Sequence, residues 1–401
     1  MSKVIVVGGG PAGVMAALSA SKNNEVILIE RNSEIGKKLR LTGGGRCNIT
    51  NNRNIDDFFD KVINNKKFLY SSFYTFSNYD LLEYFSKNNL EYKVEYDEKV
   101  YTKSDKAEEV IEILKNDLLN NNVKIYYNTK VEDLIVEDNE VKGVITDTNQ
   151  HLLADKVIIA TGGKSHPATG SDGSMYDIIE KYGHTIKPLY PALIPLVTKD
   201  SFVKNLQGVS MREVVISTKL KKKKIETTGD MIFTHFGISG PAVLKFSSYI
   251  NKALENDDIE INIDFLPQVS KDEISKTIRS NPNKNILTNL KTILPQNFVK
   301  EVLEILNLSE AKPNELKKED ELKIVDAIKE MKLTVREPLT IKAAMVTSGG
   351  VHVKEINASN MESKVIKNLF FAGEVMDVDA ETGGYNLQIA FSTGYLAGSD
   401  Y

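Results

Sequence analysis

Three glycines, Gly8, Gly10 and Gly13, follow the run KVIVV (residues 3–7) at G-x-G-x-x-G spacing. In such a pattern the first glycine permits a tight strand-to-helix turn and the second lets backbone approach a pyrophosphate. The third lets the helix pack close to a sheet. A helix that begins there points unpaired N–H groups and the positive end of its dipole at phosphates. Glu30 closes the next apolar run, EVILIE, where a carboxylate can accept from both ribose hydroxyls. That carboxylate repels a 2′-phosphate, which weighs against NADP here. The competing reading is a glycine-rich turn in a purely structural βαβ unit. Strand, helix and acid around the glycines favour dinucleotide binding.

A second cluster, residues 36–48, reads GKKLRLTGGGRCN. Gly43, Gly44 and Gly45 beside Arg46 make a backbone that can lie flat against a ring or a phosphate. Lys37, Lys38, Arg40 and Arg46 bring charge suited to a pyrophosphate or an anionic reduced flavin, and Asn48 ends the run. In the ATGG turn (160–163), Thr161 and Gly162 can pass under a nucleotide sugar. Near the C-terminus a buried strand, 368–372, leads to Gly373 and Glu374, which suit a ribityl chain. Gly383, Gly384, Tyr385 and Asn386 then open a helix, 387–396. Its N-terminal dipole suits the ring edge where negative charge gathers on flavin reduction. A second strand–glycine–acid–helix element is what FAD requires and NAD does not. No second GxGxxG occurs between residues 100 and 270, so NAD(P)H is expected only as a transient electron donor.

Other reactive side chains are few. Cys47 is the only cysteine, so disulfide chemistry is excluded; a small buried packing residue is favoured over a reactive thiolate. The histidines at 151, 166, 184, 235 and 352 show no chelating spacing, and no metal is expected. His235, in FTHFGISGP, reads equally as a proton donor at the ring edge or a buried structural histidine. His166 reads as a turn residue. No side chain stands out as an obligatory acid or base, so no catalytic residue is assigned.

These residues need a frame to hold them. The first thirty residues form a βαβ unit, the strand at 156–160 returns to its parallel sheet, and a small meander precedes that strand. Helices are predicted over 78–87 and 107–119, with a polar, Asn-rich stretch at 48–68 and an aromatic core face at 68–85. The domains expected are 1–188 with 357–401 for FAD, 189–268 with 336–356 as an inserted β domain, and 269–335 as a helical domain. The substrate is expected between the first two. With 41% hydrophobic and 26% charged residues the composition is that of a soluble globular chain. A cytoplasmic location is expected, since no apolar run approaches membrane-spanning length. The formal net charge is −4, so the lysine run at 219–224 reads as a solvated hairpin tip.

Together these segments resemble the FAD-dependent oxidoreductase family that includes aminoacetone oxidases and the reductases of 3-dehydro-bile acids. The carriers are GGGPAG, GKKLRLTGGGRCNITN, ATGGKSHPATGS, PALIPL, FTHFGISGPAVL, VTSGGV and MESKVIKNLFFAGEVMDVDAETGGYNLQIAFSTG, spread over nearly the whole chain. The resemblance implies an α/β fold: a Rossmann-like FAD domain of the two-dinucleotide-binding type, with an inserted β-barrel-like domain and a helical domain. It implies FAD contacts at Ala12 and Gly13, at Glu30 and Arg31 beside the adenosine, and at the backbone of Val131 beside the adenine. Lys37, Lys38 and Arg46 would flank pyrophosphate and flavin, with Gly373, Glu374, Asn386 and Leu387 at ribityl and ring. KVYTKS (99–104) and TGSDGSMY depart from the family pattern on the expected substrate side.

The activity implied is hydride transfer through flavin N5, with NAD(P)H reducing the flavin and a small enone-like molecule as substrate. A flavin amine oxidase using dioxygen and a non-catalytic redox sensor are the alternatives. A role in RNA modification is disfavoured by the net charge and the lack of a basic, aromatic-studded face. Neither nucleic acid nor membrane is expected as a partner, and the oligomeric state is left open.

Overall fold

A computed structural model describes residues 1–221 and 223–399. Lys222, of the lysine run, lies outside the described residues, as do Asp400 and Tyr401. The chain divides into two compact units, residues 1–190 with 341–401 and residues 191–340.

In the first unit, Lys3–Val7 and Glu25–Ile29 are near-continuous apolar runs, which are stable as strands only where both faces are covered. They sit inside a five-stranded parallel sheet in the order Leu369–Phe371, Lys156–Ile159, Lys3–Val7, Glu25–Ile29, Lys124–Tyr126. The registers Val7↔Ile159 and Ile159↔Phe371 bring three strand ends level. The turns at Gly8, Ala160 and Gly373 therefore leave the sheet side by side, at the edge where open α/β sheets bind ligands. The expected meander is Val131–Glu137, Glu140–Thr146 and His151–Leu153.

Two helices rich in small residues, Pro11–Ala20 and Tyr385–Gly398, lie against each other with backbones almost touching. A Cβ on Gly394 would stand 2.2 Å from the Ala12 carbonyl oxygen, and one on Gly398 2.2 Å from that of Ala16. The Asn78–Lys87 helix starts at a Ser77–Asp80 capping box. The polar stretch after residue 48 is more ordered than its composition suggests: Asn48–Asn51 is a wholly buried strand. The aromatic face splits by ring polarity. Phe68, Phe73, Phe76 and Phe85 are buried, whereas Tyr70, Tyr74 and Tyr79 are about half exposed, their hydroxyls keeping them in water.

The second unit is a closed six-stranded barrel in the order Leu196–Thr198, Gly237–Ser239, Lys223–Phe233, Ser210–Leu220, Ile259–Asp264, Met331–Pro338. Closure removes the sheet edges that invite aggregation. The helices Lys271–Ile278, Ile286–Leu290, Gln296–Ile305 and Lys318–Lys329 belong to the same unit, because Phe298 stacks into a cluster with the barrel residues Phe233 and Phe265. The expected boundaries differ in two respects: the helical stretch shares the barrel's core, and the strand Val346–Val351 belongs to the first unit. His235 is exposed in a turn closed by Thr234 and Gly237, so the reading as a buried structural histidine does not hold. Among the described residues no helix is long and apolar enough to cross a membrane.

Alanine normally improves a helix interior, by about 1 kcal/mol over glycine. Gly394→Ala is expected instead to destabilise by about 2 kcal/mol, because its methyl meets backbone that cannot rotate away. A urea denaturation midpoint equal to or above the wild type would show that the two helices do not meet this closely.

Candidate functional site

The first wall of the site is the glycine turn at residues 8–13. Glu30, buried at the end of the second strand, holds that turn: one carboxylate oxygen accepts from the Gly9 N–H at 2.7 Å. The other accepts from the Asn32 backbone N–H and side-chain amide, both at 2.7 Å. A carboxylate can accept about four hydrogen bonds, so one position is left for a further donor. Arg31 reaches across to Asp172 and the Gly170 carbonyl, tying the second strand to the loop after ATGG. In that loop, Gly162 lies against the Ser171 side chain.

Several features here are unfinished without a ligand. Thr161 Oγ1 and Ser171 Oγ are buried and have no hydrogen-bond partner among the described residues. An unmet buried hydroxyl costs about 1–3 kcal/mol, so polar ligand atoms are expected beside both. A Cβ added at Gly10, Gly44 or Gly45 would meet no protein atom within 4 Å, leaving three backbone faces open. Open glycine faces, orphaned hydroxyls and a helix N-terminus form a cradle that suits FAD.

The second wall is electrostatic. Lys38 Nζ donates to Glu374 Oε2 and to Ser165 Oγ, both at 2.7 Å. Glu374 Oε1 accepts from the Ser165 hydroxyl at 3.0 Å and from the Thr347 N–H at 2.8 Å. Thr347 Oγ1 in turn accepts from the Lys164 and Ser165 N–H groups. Burial alone would raise the Glu374 carboxyl, but the Lys38 ammonium and these donors outweigh it and hold the group below the usual carboxylate range. Gly373 passes close to Ala12, so this wall abuts the first.

The third wall joins segments more than three hundred residues apart. With its amide assigned so that oxygen and nitrogen each meet a partner, the Asn48 side-chain oxygen accepts from the Gly384 N–H at 3.0 Å and its nitrogen donates to the Val100 and Thr50 carbonyls. Asn51 Nδ2 donates to the Gly383 carbonyl at 3.0 Å, and the Thr50 hydroxyl donates to Gln388 Oε1 at 2.7 Å. Gly384 has φ +95° and lies so close to Thr50 that a Cβ would stand 2.3 Å from its carbonyl. Asn386 folds back onto the Ala380 backbone through both amide atoms, which fixes the turn entering the last helix. Leu387 is half-buried in that helix's first turn.

The Arg46 guanidinium faces Glu95 and Asp105 and lies over the Tyr101 ring, 4.0 Å from its centre. Lys37 is exposed near Asn32, and Arg40 pairs with Glu34 and Glu108. Val131 is buried at the start of a meander strand, opposite Thr146. Cys47 is buried with φ +56°, and burial pushes its thiol up to about 12, which makes it an inert packing residue. His166 sits in a left-handed turn, its pKa lowered by burial and by nearby Lys38. Sequence reasoning missed Ser165, Thr347 and Asn51. Ser165 and Thr347 lie inside ATGGKSHP and VTSGGV, where a small hydroxyl among glycines was the available signal. Among the described residues, no group of three or more His, Cys, Asp or Glu could hold a metal ion.

A carboxyl whose pKa is lowered on folding contributes stability that is complete above its unfolded pKa and is lost as pH falls through the folded value. Glu374→Gln is therefore expected to lose part of the wild type's acid-side decline in urea midpoint, and Lys38→Met to weaken FAD retention at least tenfold. Identical pH profiles for wild type and Glu374→Gln would show that the pair is not coupled to folding.

The HI0933-like protein Rossmann domain model matches residues 2–400. The chain is 33% identical to a 3-dehydro-bile acid delta(4,6)-reductase of Clostridium scindens, covering 99% of this chain and 98% of that protein. It is 30% identical to a ribosomal RNA dihydrouridine synthase of Haemophilus influenzae, covering 98% and 97%. The solved 3-ketosteroid delta1-dehydrogenase of Sterolibacterium denitrificans shares the fold, with a TM-score of 0.53, 13% identity and 99% of each chain covered. By this whole-length match, and by a cradle built from both ends of the sequence, the chain belongs to the HI0933-like Rossmann family of FAD-dependent oxidoreductases.

Proposed function

We propose that this protein reduces a carbon–carbon double bond conjugated to a carbonyl, with NAD(P)H as the transient electron donor. Bound in the cradle, FAD supplies a two-electron store that accepts hydride from one partner and yields it to another. The net reaction balances as NAD(P)H, one proton and the alkene giving NAD(P)+ and the saturated product. One observation carries this reading. Two whole-length relatives are named for different substrates, yet both names describe saturation of an alkene conjugated to a carbonyl.

The chain's own residues fit such work. Gly10, Ala12, Gly13, Glu30 and Arg31 would hold the adenosine half of FAD, with the Val131 backbone beside the adenine. Lys38, Glu374, Thr161 and Gly162 would hold the sugar and ribityl portion. The loop at Gly44, Gly45 and Asn48 would face the ring together with the first N–H groups of the Tyr385–Gly398 helix. Those N–H groups have no intrahelical partner, and the positive end of the dipole favours negative charge there. The asparagine and threonine contacts between residues 48–51 and 383–388 keep both loops fixed, so little reorganisation is needed when charge develops.

The substrate reading favoured by composition and charge is a small organic molecule. A uracil base within RNA is a second reading, supported by the Haemophilus influenzae relative's name. Anaerobic stopped-flow tests the donor: NADH or NADPH is expected to bleach the flavin band quickly. Turnover with a 3-oxo-4,6-diene steroid and with uridine-containing RNA, read by the mass of two added hydrogens, separates the substrates. Bleaching by an amine but by neither nicotinamide, with rapid reoxidation in air, would replace the reductase reading with an oxidase.

A further inference from the structure

The barrel carries a feature that the redox site does not use. Ser210–Leu220 and Lys223–Phe233 form a two-stranded ribbon of eleven residues a side. The neighbouring strand Ile259–Asp264 pairs with it only at Val215, Ile216 and Ser217, and the Thr218 hydroxyl donates to the Glu260 carbonyl, so among the described residues the ribbon beyond Thr218 is paired with itself alone. Lys219, Lys221, Lys223 and Lys224 are all exposed there. The ribbon end is nonetheless fixed, because Leu220 and Ile225 pack into the barrel core.

Three properties of this tip work against stability. Lys219 and Lys224 stand directly opposite each other across the strands, where like charges repel. Lys221 occupies a left-handed turn position, φ +55°, that asparagine or glycine would fill with less strain. Lys224 pairs with Glu226, but among the described residues Lys219, Lys221 and Lys223 have no carboxylate within ion-pair distance. Local rules broken together without a compensating contact mark functional sites more often than accidents. The charge is also segregated: residues 191–340 carry a slight excess of basic side chains, although the whole chain is net −4.

We infer that this lysine-tipped ribbon is a docking arm for the phosphate backbone of RNA. The inference rests on the second substrate reading, reduction of a uracil within RNA. Several ammonium groups on a rigid ribbon can each neutralise one phosphate and release its counterion, which gives affinity without sequence preference. An anionic bilayer fits less well. Adsorption to lipid combines basic charge with apolar groups that insert, and the apolar side chains of this tip, Leu220 and Ile225, point into the barrel instead.

The test is fluorescence anisotropy of the FAD-loaded protein with labelled oligouridylate over a range of salt. In the variant with Lys219, Lys221, Lys223 and Lys224 all changed to Gln, RNA binding is expected to fall at least tenfold near 0.1 M salt. The slope of log affinity against log salt should flatten by roughly 2–3, since each phosphate contact contributes about 0.7 on single strands. A control with Lys87, Lys115, Lys124 and Lys142 changed to Gln removes equal charge from the other unit and is expected to keep wild-type binding. Unchanged flavin content and melting temperature show that the tip variant is folded.

Equal loss in both variants, or wild-type binding by the tip variant, overturns the arm. So does a tip variant that loses binding to phosphatidylserine vesicles while keeping RNA. RNA that binds through the tip but whose uridines are never reduced leaves the arm standing and removes the uracil reading. Uridine reduction at wild-type rate and affinity by the tip variant does the reverse.

Discussion

Contact between the backbones of the Pro11–Ala20 and Tyr385–Gly398 helices makes one site from the two ends of the chain. Carbonyls of Ala12 and Ala16 lie where side chains would stand on any residue but Gly394 and Gly398. Such an approach fixes the last helix against the first to within a fraction of an ångström, because packed interiors do not deform continuously. Gly373 then meets Ala12, Lys38 can reach Glu374, and the residue 48–51 strand can reach Gly384. Widening the helix pair by one methyl would displace all three walls at once.

Within that frame the polar groups divide into those already matched and those left waiting. Lys38, Glu374, Ser165 and Thr347 satisfy one another, so they hold their geometry before any ligand arrives. Thr161 and Ser171 are not satisfied, and the backbone faces at Gly10, Gly44 and Gly45 are open. A cradle built this way loses little entropy on binding, since its charged side chains are already ordered. The unmet hydroxyls supply part of the drive for the ligand to enter.

How much of this could be read from the residues depends on how local each signal is. The glycine spacing at 8–13, the acid at Glu30 and the glycines before the last helix are local signals, and the strands, turn and helices that carry them form. The Asn51–Gly383 bond joins residues 332 apart, and no periodicity marks it. Arg46 carries a general signal, a cation beside glycines. Its direction is set by Glu95 and Asp105, which a hairpin of later sequence brings to it. The helices after residue 270 looked separate because their period changes. Period reports only the element type; the shared core with the barrel depends on where the apolar faces end up.

Conformational strain sorts the loops by what they do. Cys47 has φ +56° in the loop that enters the buried strand, and Asp97 and Glu98 are left-handed in succession beside it. All three lie around residues 48–51, where Asp97 accepts a hydrogen bond from Arg53 and, through its carbonyl, one from Asn51. Strain there is over-determined by neighbours, as expected of a preorganised site. Lys221 is strained with no such support, and its neighbours repel it. The two kinds of strain therefore have different origins. One is imposed by a rigid scaffold on a loop that must be exact in position, and the other persists where charge, rather than position, is the property retained.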